Sequence, residues 1–176
     1  MKKFALALSF LLALPLLMFA GYDAMVFQPR MPEIEKLISN ANPEDRVLPP
    51  AVRQFVDISH GRNSPDVYVA RLVLSKLHLD DKGGLEWTVR WALWRYLLEL
   101  HLSGEDMETL YGTLAYNGQD YGLNNLSVRL FAKPLSALGP AEAATVVAVI
   151  QSPSLYLSDR ELLVQRRDSL LSKAHP

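Results

Sequence analysis

The stretch FAKPLSALGPAEAATVVAVIQSPSLY, residues 131–156, decides the fold class. Lys133-Pro134 ends one helix, because proline has no N–H to donate and pushes the preceding residue out of helical geometry. Pro140 stands in a first helical turn, where the missing donor costs nothing. A small apolar helix follows, AEAATVVAVIQ, and Pro153 closes it. Beyond it SDRELLVQRRDSLLSKA makes a last helix, with Ser158 or Asp159 as its cap.

Upstream the pattern is the same. LEWTVRWALWRYLLELHL places Trp87, Trp91, Trp94 and Leu98 at i, i+4, i+7 and i+11. Such a stripe is read as a core face in preference to a membrane-interface or glycan-stacking surface, since helical periodicity of large apolar residues usually marks burial. Ser103 with Asp106 three residues on forms a capping box with Asp in place of Glu, opening a helix through EDMETLYGTLAY. A turn at Asn117–Asp120 separates it from the helix LNNLSVRLFA. PPAVRQFVDI begins another helix behind its prolines. PDVYVARLVLSKLHL has helical spacing, although its β-branched content leaves a strand open. The expectation is an all-α domain over 50–176.

The N-terminus differs in kind. Phe4–Gly21 is 18 residues with Ser9 alone polar. As a helix it spans roughly 27 Å, close to a bilayer core. Signal cleavage prefers small residues at −3 and −1, and Met18 or Tyr22 would stand at −3. Residues 1–21 are therefore expected to stay attached as a transmembrane anchor. Lys2 and Lys3 place the N-terminus in the cytoplasm and the rest outside it. Pro29, Pro32, Pro43, Pro49 and Pro50 make 22–49 read as a linker around one short amphipathic turn, MPEIEKLIS.

The 176 residues suit a single domain. Lys plus Arg is 18 against 19 Asp plus Glu, which gives no case for nucleic acid as a partner. Cysteine is absent, which excludes disulfides and thiolate metal sites. His60, His78, His101 and His175 show no ligand spacing, so no protein-bound metal or other cofactor is expected.

Taken in order, these pieces resemble the family 51 glycosyltransferases, the peptidoglycan polymerases that occur alone or as the N-terminal domain of bifunctional penicillin-binding proteins. The family's Phe-Gly-Lys, Leu-x-x-Ala-Glu-Ala-Ala and Gln-x-Pro-Ser-x-Tyr are matched by Phe131, Lys133, Leu138, Ala141–Ala144, Gln151, Pro153, Ser154 and Tyr156. Its closing Arg pair resembles Arg166-Arg167. Upstream, Leu102, Ser103, Glu105, Asp106, Tyr111, Tyr116, Gly118, Tyr121 and Gly122 hold its pattern. The resemblance covers 97–172 and is faint over 46–96.

What the resemblance implies is a lysozyme-like helical fold on the outer face of a bacterial cytoplasmic membrane. Its ligand is a lipid-linked peptidoglycan precursor or glycan, and cell-wall synthesis proteins are further partners. In the family one glutamate acts as general base and a second assists departure of a lipid diphosphate. A divalent cation accompanies the diphosphate in active members. The chain departs where that chemistry belongs. With Phe55 and His60-Gly61 as survivors of the first block, Ala51-Val52 stand where Glu-Asp is expected. The second block retains none of its polar residues over Asp66–Leu72, and Glu86 is the closest carboxylate to the third. A rival register makes Glu44 the base. The expectation is a catalytically degenerate member that binds substrate through Arg166, Arg167, Lys133, Tyr116 and Glu142, with Glu142, Arg166 and Tyr116 around one cleft. The alternatives are an active polymerase using Glu44 and a non-enzymatic anchored scaffold.

Overall fold

The computed structural model describes residues 13–61, 66–80 and 83–174. Helix α1 is described over 13–22 and runs into one wide π-helical turn, Asp23–Phe27, and a 3-10 turn, Gln28–Arg30. Then follow α2 (Met31–Ser39), α3 (Pro43–Arg46), α4 (Pro50–His60), α5 (Asp66–Lys76), α6 (Leu85–His101) and α7 (Gly104–Leu114). The chain closes with α8 (Leu123–Phe131), a 3-10 turn at Leu135–Ala137, α9 (Pro140–Gln151), α10 (Pro153–Ser158) and α11 (Arg160–Ala174). The described residues hold no strand, only an isolated antiparallel bridge between Tyr116 and Tyr121. The chain is all-α, and the segment whose β-branched content left a strand open is the helix α5.

Helix α9 is the centre. Ala143, Ala144 and Val146–Val149 are all buried, as expected of a helix that is apolar on every side. Helices α4, α8, α10 and α11 pack around it. A second layer is built by α5, α6 and α7 through Val73, Leu74, Trp94, Leu98, Leu110 and Leu114. Trp94 is fully buried and Trp87 and Trp91 pack on the core, so the tryptophan stripe is a core face.

Residues 22–49 are not a linker in the sense the prolines suggested. Phe27, Ile34, Ala41, Asp45 and Leu48 are buried in the same core. Tyr22 accepts the Trp94 indole N–H at 3.2 Å, and Phe27 meets Trp94 edge-on at 5.0 Å. The prolines punctuate this segment without unfolding it. Pro29, Pro32 and Pro43 each lie in the first turn of a short helix, where proline is tolerated.

Helix α3 is held by α7 and α8. The Thr109 hydroxyl donates to the Arg46 carbonyl, and the Asp45 carboxylate accepts the Asn124 N–H at the start of α8. Helix α7 comes close enough to α3 that a Cβ on Gly112 would overlap the Asp45 carbonyl. Residues 1–12 of the expected anchor lie outside the described residues, and among those described no helix is long and apolar enough to cross a membrane.

Candidate functional site

A cavity of about 440 Å³ opens where the ends of α4, α7 and α9 meet the flank of α5. Ser59 and His60 come from the last turn of α4, Tyr68 and Leu72 from α5, and Tyr111 from α7. Tyr116 enters from the loop after α7, and Gln151 from the end of α9, just before Pro153 turns the chain. A neighbouring groove of about 550 Å³ has Tyr68 and Leu72 as walls too, and adds Arg71, Ser75, Asp80 and Trp87.

Aromatic rings dominate the cavity. His60 stacks on Tyr68 at 3.9 Å between ring centres and meets Tyr111 edge-on at 5.6 Å. Its Nε2 lies 3.0 Å from the Tyr111 oxygen. Burial pushes the imidazole down to about 4 and raises the Tyr111 phenol. Both are therefore neutral at pH 7, joined by one hydrogen bond. The Ser59 hydroxyl donates to the Val56 carbonyl at 2.8 Å, so it is not aimed at the imidazole as an activated nucleophile would be.

Gln151 has its orientation fixed from behind, since Arg166 Nε donates to its Oε1 at 2.7 Å. The amide's N–H groups are its remaining donors. The Tyr116 hydroxyl donates to the Gly118 carbonyl, and its ring meets Tyr121 at 5.6 Å. None of the residues lining this cavity is a carboxylate. Asp57, one turn before the cavity residues of α4, lines a separate space of about 170 Å³. There Glu108 is held by both Arg53 and the Leu48 N–H.

The residues expected to share one cleft are divided between the two ends of α9. Tyr116 lines the cavity and Arg166 stands behind its Gln151 wall. Glu142 belongs to the other end, nine residues or about 13 Å away along the helix axis. Its Oε2 accepts the Gly139 N–H at 2.9 Å and its Oε1 accepts from Lys133 at 2.6 Å. The Lys133 hydrogen bond and then the Gly139 N–H hold this carboxyl below its usual range. Glu142 thus caps the start of α9, the dipole-satisfying arrangement expected of an acidic first turn, and Lys133 neutralises its other oxygen. Arg167 pairs with neighbouring Asp168 at 2.8 Å. Glu44 is bound to this same end, where its carboxylate accepts the Ser136 N–H at 2.9 Å.

Ala51 and Val52, where the resemblance expects the first acidic pair, pack toward the core two turns before Ser59. Sequence reasoning did not single out Ser59 or Tyr68 for the cavity, and quoted Tyr111 and Gln151 only as pattern matches. No family model matches the chain, and no curated protein matches it.

Proposed function

We propose that the protein is a membrane-anchored relative of the peptidoglycan glycosyltransferases, with their lysozyme-like helical arrangement, that binds lipid-linked precursor or glycan without polymerising it. The observation that carries this reading is the cavity itself. Its walls are Tyr68, His60, Tyr111 and Tyr116 with one oriented amide, and it holds no carboxylate. Aromatic faces suit the apolar faces of sugar rings, and an amide suits their hydroxyls. Acceptor activation needs a base poised near the working pH. A buried imidazole near 4 and a buried phenol are not that.

The grip on a diphosphate falls to Arg166, beside the cavity, and to Arg71 in the neighbouring groove. Lys133 is committed to Glu142 at the other end of α9. Direct titration of the full chain in detergent with fluorescent lipid-linked disaccharide-peptide tests the reading. Saturable binding that weakens at least tenfold in Tyr68→Ala and Tyr116→Ala supports it. Absence of binding to both the precursor and short glycan strands would leave the helical scaffold as the function.

A further inference from the structure

A groove of about 520 Å³ lies between α2, α5 and α7, separate from the aromatic cavity. Glu33, Lys36, Leu37 and Asn40 run along one face of α2 and its C-cap, at i, i+3, i+4 and i+7. Lys76 comes from the end of α5, Thr113 from the last turn of α7, and Tyr121 from the loop that follows. Leu37 and Leu77 make part of the walls apolar.

The polar groups of this groove are short of partners. Thr113 Oγ1 is buried and has no hydrogen-bond partner among the described residues. Buried hydroxyls are ordinarily satisfied, so this one leaves a donor and an acceptor unused. Among the described residues neither the Lys36 nor the Lys76 ammonium has a carboxylate or carbonyl partner, and Lys76 Nζ stands 4.8 Å from the centre of the Tyr121 ring. Glu33 is the carboxylate in the lining, and Arg30 holds it at 2.8 Å. Lysines near helix C-termini often compensate the macrodipole. Here backbone amides already serve those ends: the Asn40 N–H donates to the Lys36 carbonyl, Leu77 to Val73, and Ala115 to Tyr111. Two cationic heads thus share one concave, partly apolar recess, which focuses their field more than an open surface would.

We propose that the groove is an oxyanion site, taking a carboxylate or a phosphate between Lys36 and Lys76, with the Thr113 hydroxyl and the Asn40 amide as further donors. The two ammonium groups supply charge-assisted hydrogen bonds, the stronger kind. The site adjoins the aromatic cavity. Tyr121 lines the groove, Tyr116 lines the cavity, and their rings meet at 5.6 Å. A sugar on one side of this ring pair can present an acidic substituent to the other. That use rests on the glycan reading of the cavity, whereas the oxyanion site itself does not.

Threonine methyls read the site directly, because Thr113 is one of four threonines, with Thr88, Thr109 and Thr145. The full chain, carbon-13 labelled at threonine methyls and held in a non-ionic detergent, is titrated with inorganic phosphate at constant ionic strength. Thr113→Val identifies the resonance, and Thr88 and Thr145, outside the groove, are the references. The expected result is a saturable shift of the Thr113 methyl while the references stay still. In the double variant K36Q/K76Q, at two exposed lysines, the dissociation constant should rise about fivefold or more as the charge-assisted bonds are lost. No shift, a shift that sodium chloride reproduces, or one unchanged in the double variant would overturn the proposal. N-acetylmuramic acid and N-acetylglucosamine, an acidic and a neutral sugar, separate the two sources of the anion. Tighter binding of the acidic sugar than of phosphate, lost in the double variant, would support a single ligand spanning groove and cavity. Phosphate binding with no response to either sugar would support the site as one for a free anion and count against the glycan reading alone.

Discussion

Asp45 caps α8 from 79 residues away, its Oδ1 accepting the Asn124 N–H at 2.8 Å. The amides at the start of α8 favour the carboxylate form, yet burial outweighs them and pushes the group up to about 6. The folded state thus binds a proton that the unfolded state has released between pH 4 and 6. Asp45's contribution is fully present below about pH 4 and is lost as pH rises through 6, with an amplitude of about 3 kcal/mol. Asp45→Asn keeps an acceptor for Asn124 and removes the titration. Its stability relative to the wild type should therefore rise between pH 4 and 7 in denaturant titrations. Asp45→Ala leaves the Asn124 N–H buried without a partner and should cost about 1–3 kcal/mol at low pH.

His60 titrates in the opposite sense over an overlapping window. Its folded value is depressed to about 4, so its contribution is present above the usual imidazole value near 6.5 and is lost as pH falls through 4. The two groups offset each other between pH 4 and 6. His60→Gln should accordingly unmask a fall in stability with rising pH that the wild type conceals. Because the imidazole is neutral throughout, ligand binding at the cavity should be flat from pH 5.5 to 8. A sigmoidal dependence centred near 6.5 in the binding isotherms would show that His60 is solvated and outside the stacked arrangement.

Gly112 tests the closeness of α7 and α3. An added Cβ meets the Asp45 backbone, which cannot swing aside as a side-chain tip could. Gly112→Ala should destabilise by about 1–3 kcal/mol. Gly104→Ala, at a position with open space around its Cβ, should stay within about 0.5 kcal/mol. Equal effects in thermal melts would refute the close approach.

Local signals carried most of the helices. Ser103 and Asp106 form the reciprocal cap their spacing announced, and Pro140 opens α9 as read. The prolines of 22–49 misled because they mark first helical turns as readily as breaks. The cavity was the least legible feature. It gathers Ser59, Tyr68, Tyr111 and Gln151 from four helices and Tyr116 from a loop, and only packing brings them together. Glu142 shows the converse. A matching motif position can be explained by the helix start it caps.

The decisive prediction concerns chain formation. Loss of a general base typically costs 10²–10⁴ in rate, and loss of charge stabilisation at a leaving group removes a further factor of about 10²–10³. Glu44 is engaged by the Ser136 N–H at the end of α9 remote from Gln151, and the cavity offers no carboxylate in its place. Full-length protein in detergent, given lipid-linked disaccharide-peptide and a divalent cation, should therefore form no glycan chains on a gel that resolves single disaccharide steps. Asp80, exposed, is the carboxylate that lines the neighbouring groove, so it is the residue to test if chains do form. Chains that vanish with Asp80→Asn would make the protein a polymerase with its base in the groove. Chains that vanish with Glu44→Ala would mean that α3 moves on substrate binding and carries Glu44 away from Ser136.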